Sequence, residues 1–64
     1  MTANELLRKL KALGATVNPS RGKGGHVQVI LNGKVTFVPL HAGDIKKGTL
    51  HAICRQLGLM ENDL

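Results

Sequence analysis

The residues best suited to chemistry in this sequence are a histidine and the basic, glycine-rich segment that precedes it. The segment 21–25 supplies two cations, Arg21 and Lys23, and three glycines that include Gly24 and Gly25. Such glycines let backbone amides approach a phosphate, and the cations can stabilise developing charge. His26 follows directly. An imidazole ordinarily titrates near pH ~6.5, so it can take a proton from a ribose 2′-hydroxyl or protonate a leaving 5′-oxygen. The pattern fits RNA cleavage, but a solvated strand histidine behind a flexible loop would give the same sequence.

The net charge also favours an anionic partner. Nine Lys and Arg against four Asp and Glu give the 64 residues a formal charge of +5. Phe37 is the only aromatic residue, so we expect nucleic-acid contact mainly through phosphates and shape rather than through stacking platforms. We see neither zinc-type Cys/His spacing nor an apolar run near the ~20 residues of a membrane helix. We therefore predict no metal, no cofactor, no membrane association and a cytoplasmic location.

Other polar and reactive residues are weaker candidates. Lys46 and Lys47 lie around the start of the last predicted helix, where they are available to phosphate or are simply solvated. His41 is interpreted as a structural residue of a turn and His51 as a surface residue. Cys54 falls on an apolar helical stripe, which is typical of a small core residue rather than a nucleophile.

The elements that must position these residues follow from spacing and turn signals. Thr2 and Glu5 fit a capping box, after which leucines recur at helical spacing up to Gly14. A second apolar helical stripe ends at Gly58. Between the helices we predict three strands, at 15–17, 26–31 and 34–38. The predicted fold is an α+β domain over residues 1–64, ordered α-β-β-β-α, with two helices on one face of a three-stranded antiparallel sheet.

The register of the hairpin at Asn32-Gly33 decides which side chains surround His26. A two-residue turn would place Leu31 beside Lys34 and mix apolar with polar residues on both faces. A three-residue loop ending at a left-handed Gly33 buries a cleaner face, so we predict that register. The pairs it predicts are Val29 with Val35 and Val27 with Phe37. The residues it places on the wetter face are His26, Gln28 and Thr36.

Several stretches, taken in order, resemble the HicA family of toxins. They are the leucine helix ending at Gly14, the step Gly24-Gly25-His26 into a strand, Val38-Pro39-Leu40-His41, and the run 46–53, KKGTLHAI. The likeness covers nearly the whole chain, and its most specific part runs from Val38 through Gly58-Leu59.

The resemblance implies a double-stranded-RNA-binding-domain-like fold and ribosome-independent cleavage of mRNA, restrained by a HicB-type antitoxin. The family's catalytic histidine falls on His26. Members usually carry a serine immediately before it, whereas this chain has Gly25.

Together these observations predict a metal-independent endoribonuclease toxin, an mRNA interferase, with His26 as the catalytic residue. The residues predicted to bind RNA are Arg21, Lys23, Gly24, Gly25, Gln28, Lys46 and Lys47. A non-catalytic RNA-binding module is the alternative, because no complete catalytic set can be assembled. The basic surface could in addition be the contact for an acidic antitoxin.

Overall fold

A computed structural model describes residues 1–19, 25–40 and 43–64. Its elements are α1 (Ala3–Ala12), β1 (Thr16–Asn18), β2 (His26–Leu31), β3 (Lys34–Pro39), α2 (Lys47–Leu57) and a terminal 3₁₀ turn (Glu61–Asp63). The three strands form one antiparallel sheet in the order β1-β2-β3. The predicted α-β-β-β-α arrangement is therefore confirmed. None of the helices in these ranges has the length and apolar character needed to cross a membrane.

Helix α1 begins at the capping box that the sequence indicates. The Thr2 hydroxyl accepts a hydrogen bond from the Glu5 backbone N–H at 3.2 Å, and the Thr2 N–H donates to the Glu5 carboxylate at 3.4 Å. The bond from the Thr2 N–H to the carboxylate, and after it a bond from the Thr2 hydroxyl to the same carboxylate at 3.2 Å, hold the pKa of Glu5 below its ordinary value. Leu6 and Leu10 are fully buried, so the apolar stripe of α1 faces the sheet.

Helix α2 ends where the second stripe predicts. Gly58 adopts a left-handed conformation with φ +71°, and the Leu59 N–H donates to the Cys54 carbonyl at 2.8 Å. Glycine reaches this conformation without the steric penalty of a Cβ atom. The helix buries Ile53, Cys54 and Leu57.

The predicted hairpin register is wrong by one residue. Asn32 (φ 51°) and Gly33 (φ 79°) both have positive φ, and Leu31 lies opposite Lys34. This is a two-residue turn of the type I′ kind, whose twist matches that of the flanking strands. The observed pairs are Val29 with Thr36, Gln28 with Phe37 and Val27 with Val38.

The shifted register exchanges the faces of β3. Thr36 is only 1% exposed and faces the helices, not the solvent side that the sequence predicts. Its hydroxyl donates a hydrogen bond to the side-chain oxygen of Gln56 on α2. That bond removes most of the penalty for burying a hydroxyl, which allows the turn chemistry to set the register.

The core lies between the two helices and one face of the sheet. Its buried side chains are Ala3, Leu6, Leu10, Val27, Val29, Leu31, Val38, Ile45, Ile53 and Leu57. Burial alternates along β2, as expected for a sheet with one covered and one open face. Every second residue of β2, beginning with His26, therefore faces away from the helices.

Candidate functional site

His26 is the first residue of β2 and is exposed, opposite Pro39 on β3. The chain enters the strand through Gly25, which has φ +85°. The Gly25 carbonyl accepts a hydrogen bond from the Leu40 N–H at 2.7 Å, which ties the start of β2 to the end of β3. A residue with a Cβ atom is disfavoured at this φ by roughly 1–2 kcal/mol. The backbone at this position thus favours glycine.

The side of the sheet that the helices leave uncovered, the open sheet face, consists of three cross-strand rows. They are Thr16–Ile30–Val35, Asn18–Gln28–Phe37 and His26–Pro39. Two apolar side chains of β3 remain substantially exposed here, Val35 at 43% and Phe37 at 47%. Among the described residues of this face, His26 is the only one with a titratable side chain.

The middle row joins two amides to the aromatic ring. The Asn18 side-chain amide donates a hydrogen bond to the Gln28 side-chain oxygen at 3.3 Å, and both residues are half-buried. Phe37 lies directly across from Gln28. The structure thus brings Gln28 to the same face as His26 and places Phe37 there instead of Thr36.

Two neighbours of His26 on this face, Asn18 and Phe37, were not predicted from the sequence. The signal that would have found Phe37 is the Asn32-Gly33 dipeptide, which strongly prefers a two-residue type I′ turn. Asn18 lacks such a signal, because its position beside Gln28 depends on how β1 pairs with β2.

Lys46 and Lys47 belong to the helical layer and not to the open sheet face. Lys46 is the N-cap of α2 and Lys47 its first residue, and both are exposed. The preceding Ile45 is buried, and its N–H donates to the Met1 carbonyl at 2.7 Å. This anchor holds the two cations at the positive end of the α2 dipole, where an anion is favoured. The first turn of α2 holds no acidic side chain to compete.

The remaining predicted RNA-binding residues, Arg21, Lys23 and Gly24, lie outside the described residues, as does His41. Gly25 lies within the described residues 25–40, and it is exposed.

The other reactive side chains have structural surroundings. Cys54 is buried at 2% exposure, and burial, assisted by Glu61 and Asp63, raises the pKa of its thiol. A buried neutral thiol is a poor nucleophile. His51 is exposed, with Nδ1 4.0 Å from the Glu61 carboxylate. Within residues 1–19, 25–40 and 43–64, no three His, Cys, Asp or Glu side chains cluster as metal ligands would.

Comparison with known proteins finds a matching family and a relative. Residues 3–59 match the family described as the HicA toxin of bacterial toxin-antitoxin systems. The chain is also 44% identical over 62 residues to a Pseudomonas fluorescens (strain Pf0-1) protein named probable mRNA interferase HicA. That match covers 95% of this chain and the whole of the relative.

Proposed function

The chain belongs to the HicA family of bacterial toxins, and from that premise we propose that His26 performs one of the two proton transfers when the protein cleaves RNA. The protein is an endoribonuclease of a toxin-antitoxin system, an mRNA interferase.

One observation carries the assignment of His26. It is exposed at the start of β2, and it is the one titratable side chain among the described residues of the open sheet face. A proton-transfer group must come within hydrogen-bonding distance of the ribose and the phosphate. An exposed residue at a strand terminus can do so, whereas a buried one cannot. Its chain neighbours 21–25 add two cations and three glycines close in sequence.

The proposed reaction is an internal displacement at phosphorus. The 2′-oxygen loses its proton and forms a bond to the adjacent phosphorus, while the bond from phosphorus to the 5′-oxygen breaks and that oxygen gains a proton. The products are a 2′,3′-cyclic phosphate and a 5′-hydroxyl. His26 performs one of the two proton transfers, and a second group, which we do not assign, performs the other.

This reaction needs proton transfer and positive charge near the phosphoryl oxygens, both of which side chains can supply. We therefore propose cleavage without a metal ion. Arg21 and Lys23 would stabilise the developing charge, while the backbone amides of Gly24 and Gly25 would approach the phosphate.

The other predicted RNA-binding residues fit two separate surfaces. Gln28 shares the open sheet face with His26 and would hydrogen-bond to the substrate beside the cleaved bond. Lys46 and Lys47 at the start of α2 would bind phosphates elsewhere along the RNA. Because binding through cations releases counterions, affinity should fall steeply as salt rises.

We also propose that the restraining partner is a HicB-type antitoxin with an acidic contact surface, acting in the cytoplasm. The family context supports an antitoxin, and the net charge of +5 supports an acidic one. Co-purification with the product of the adjacent reading frame tests this part. A neighbouring product that neither co-purifies nor relieves growth arrest contradicts it.

Cleavage by purified His26→Gln and His26→Ala variants tests the catalytic assignment. RNA is incubated with each variant in the presence of a metal chelator, and the ends of the RNA products are analysed for 2′,3′-cyclic phosphate. We expect activity to fall roughly 100-fold or more, the usual contribution of a general acid or base. His51→Gln, an exposed histidine in the helical layer, is the matched control and should keep full activity.

Two results would count against this mechanism. Cleavage by His26→Gln within about twofold of the wild-type rate removes His26 from the chemistry. Cleavage next to a 2′-deoxynucleotide rules out the proposed displacement, because the attacking 2′-hydroxyl is then absent. Salt-dependent binding with intact RNA would instead indicate a binding module without catalysis.

A further inference from the structure

We propose that Phe37 is a stacking platform for a nucleobase next to the cleaved phosphate, and that the Asn18–Gln28 amide pair hydrogen-bonds to the edge of that base. This inference rests on the proposed function of His26. It adds a residue that selects and orients the substrate.

The first support is the exposure of the ring. Phe37 is the only aromatic residue of the chain, and 47% of it is in contact with solvent on the open sheet face. The core contains aliphatic side chains and a threonine but no aromatic one among the described residues. An exposed ring on an uncovered sheet offers a flat apolar surface, and each base has a π-face that can stack on it.

The second support is the polar pair beside the ring. Gln28 is directly across from Phe37, which places the two Cβ atoms about 4.5–5.5 Å apart. The Asn18-to-Gln28 bond of 3.3 Å uses one donor and one acceptor site. An amide has two N–H donors and an oxygen with two lone pairs, so the pair retains both kinds of group for a base edge. Because both residues are half-buried, their positions are held by packing.

The third support is the spacing between Phe37 and His26 on the open sheet face. His26 and Gln28 are two residues apart on one strand, which separates them by roughly 7 Å on the same face. Phe37 is the diagonal cross-strand neighbour of His26, which places their Cα atoms about 7–8 Å apart. A nucleotide can span this distance, so a base on Phe37 belongs to a nucleotide whose phosphate lies within reach of His26.

RNA fits the row Asn18–Gln28–Phe37 and the adjoining His26 better than a protein does. The described part of the open sheet face comprises eight residues, including Thr16, Ile30 and Val35, whereas a stable protein interface usually takes about 20–30 residues a side. One or two nucleotides match the smaller area. The positive charge of the chain also favours a polyanion.

Binding of uncleavable RNA separates this inference from catalysis. The probe is a single-stranded oligonucleotide with 2′-O-methyl riboses, which lacks the attacking hydroxyl. Phe37→Leu keeps an apolar side chain but removes the ring, and we expect affinity to fall roughly 5- to 150-fold, as for loss of one base–aromatic stack. Phe37→Trp keeps a ring and should bind within about twofold of wild type. Val35→Ala, on the same strand and face, is the control and should leave affinity unchanged.

Phe37→Trp also reports directly on stacking, because the chain contains no tryptophan. We expect the oligonucleotide to quench its fluorescence, with a smaller change in Val35→Trp. In a series of oligonucleotides with one abasic nucleotide each, one position should weaken wild-type binding but not Phe37→Leu binding, since base and ring act as a pair.

Several outcomes overturn the inference. They are wild-type affinity in a folded Phe37→Leu variant, absence of quenching in Phe37→Trp, or equal abasic effects in both proteins. Normal RNA binding with loss of antitoxin co-purification would show that this face binds protein instead. Retained cleavage by His26→Gln refutes the proposed function without changing these binding results, so the two failures are distinguishable.

Discussion

The stability of Phe37→Ala tests the observed register and with it the composition of the open sheet face. In the structure Phe37 is 47% exposed on the side of the sheet away from the helices. In the register that the alternation of residues predicts, it would pair with Val27 and lie in the core. The two arrangements give different free energies of unfolding for the same substitution.

The magnitude follows from the exposed fraction. Full burial of a large apolar side chain contributes about 1.5–3 kcal/mol relative to exposure. With roughly half of Phe37 buried and no closed cavity left behind, we expect truncation to alanine to cost about 1 kcal/mol. A core phenylalanine would lose about 3–5 kcal/mol, because a cavity adds to the lost transfer energy. Leu10→Ala, at a position with 0% exposure, is the buried reference and should cost about 2–5 kcal/mol.

Thermal and urea unfolding followed by circular dichroism measure these differences. At about 2.1 cal/mol/K per residue, 64 residues have an unfolding entropy near 0.13 kcal/mol/K, so 1 kcal/mol corresponds to about 7 °C in Tm. We expect Phe37→Ala to lower Tm by about 7 °C and Leu10→Ala by at least twice as much. If Phe37→Ala is as destabilising as Leu10→Ala, the ring is buried, and both the register and the stacking proposal fail.

Three further predictions concern the helix ends and the cysteine. Thr2→Ala should lower the free energy of unfolding by about 1 kcal/mol in a thermal melt, while Thr2→Ser retains the cap; equal losses would contradict the capping role. Gly58→Ala should cost about 1–2 kcal/mol, because φ is +71°, and Gly58→Asn should cost less. A Cβ atom there would also come 2.5 Å from Lys34 Nζ, but that flexible end can move. Adding Lys34→Ala should therefore not restore stability, and full rescue would show that the clash dominates. Cys54 should react slowly with iodoacetamide at about pH 8 when folded and rapidly in urea, because burial raises the pKa of its thiol. As the unfolded thiol loses its proton first, Cys54 should lower stability as pH rises above about 8.5; a stability increase there would contradict this.

Local signals in the sequence predicted the order of the elements correctly and indicated His26 as the candidate for the proposed chemistry. The Thr2–Glu5 capping box and the leucine spacing of α1 are local features, and so is the glycine that ends α2. Local signals survive folding because they satisfy backbone groups within a few residues. His26 was also identifiable, from its residue type beside a basic glycine-rich segment and from the likeness to a family.

The side chains that share a face with His26 could not be predicted correctly from the sequence, because they depend on contacts between distant elements. The alternation of residues in β3 favoured burying Val35 and Phe37, yet the Asn32-Gly33 turn shifted the register by one residue and exposed both. That shift depends on a partner for the buried Thr36 hydroxyl, and the partner is Gln56, 20 residues away on α2. A hydrogen bond between residues so distant in the chain leaves no local pattern in the sequence. Strand pairing and helix packing together placed the aromatic ring, and not the threonine, beside the catalytic candidate.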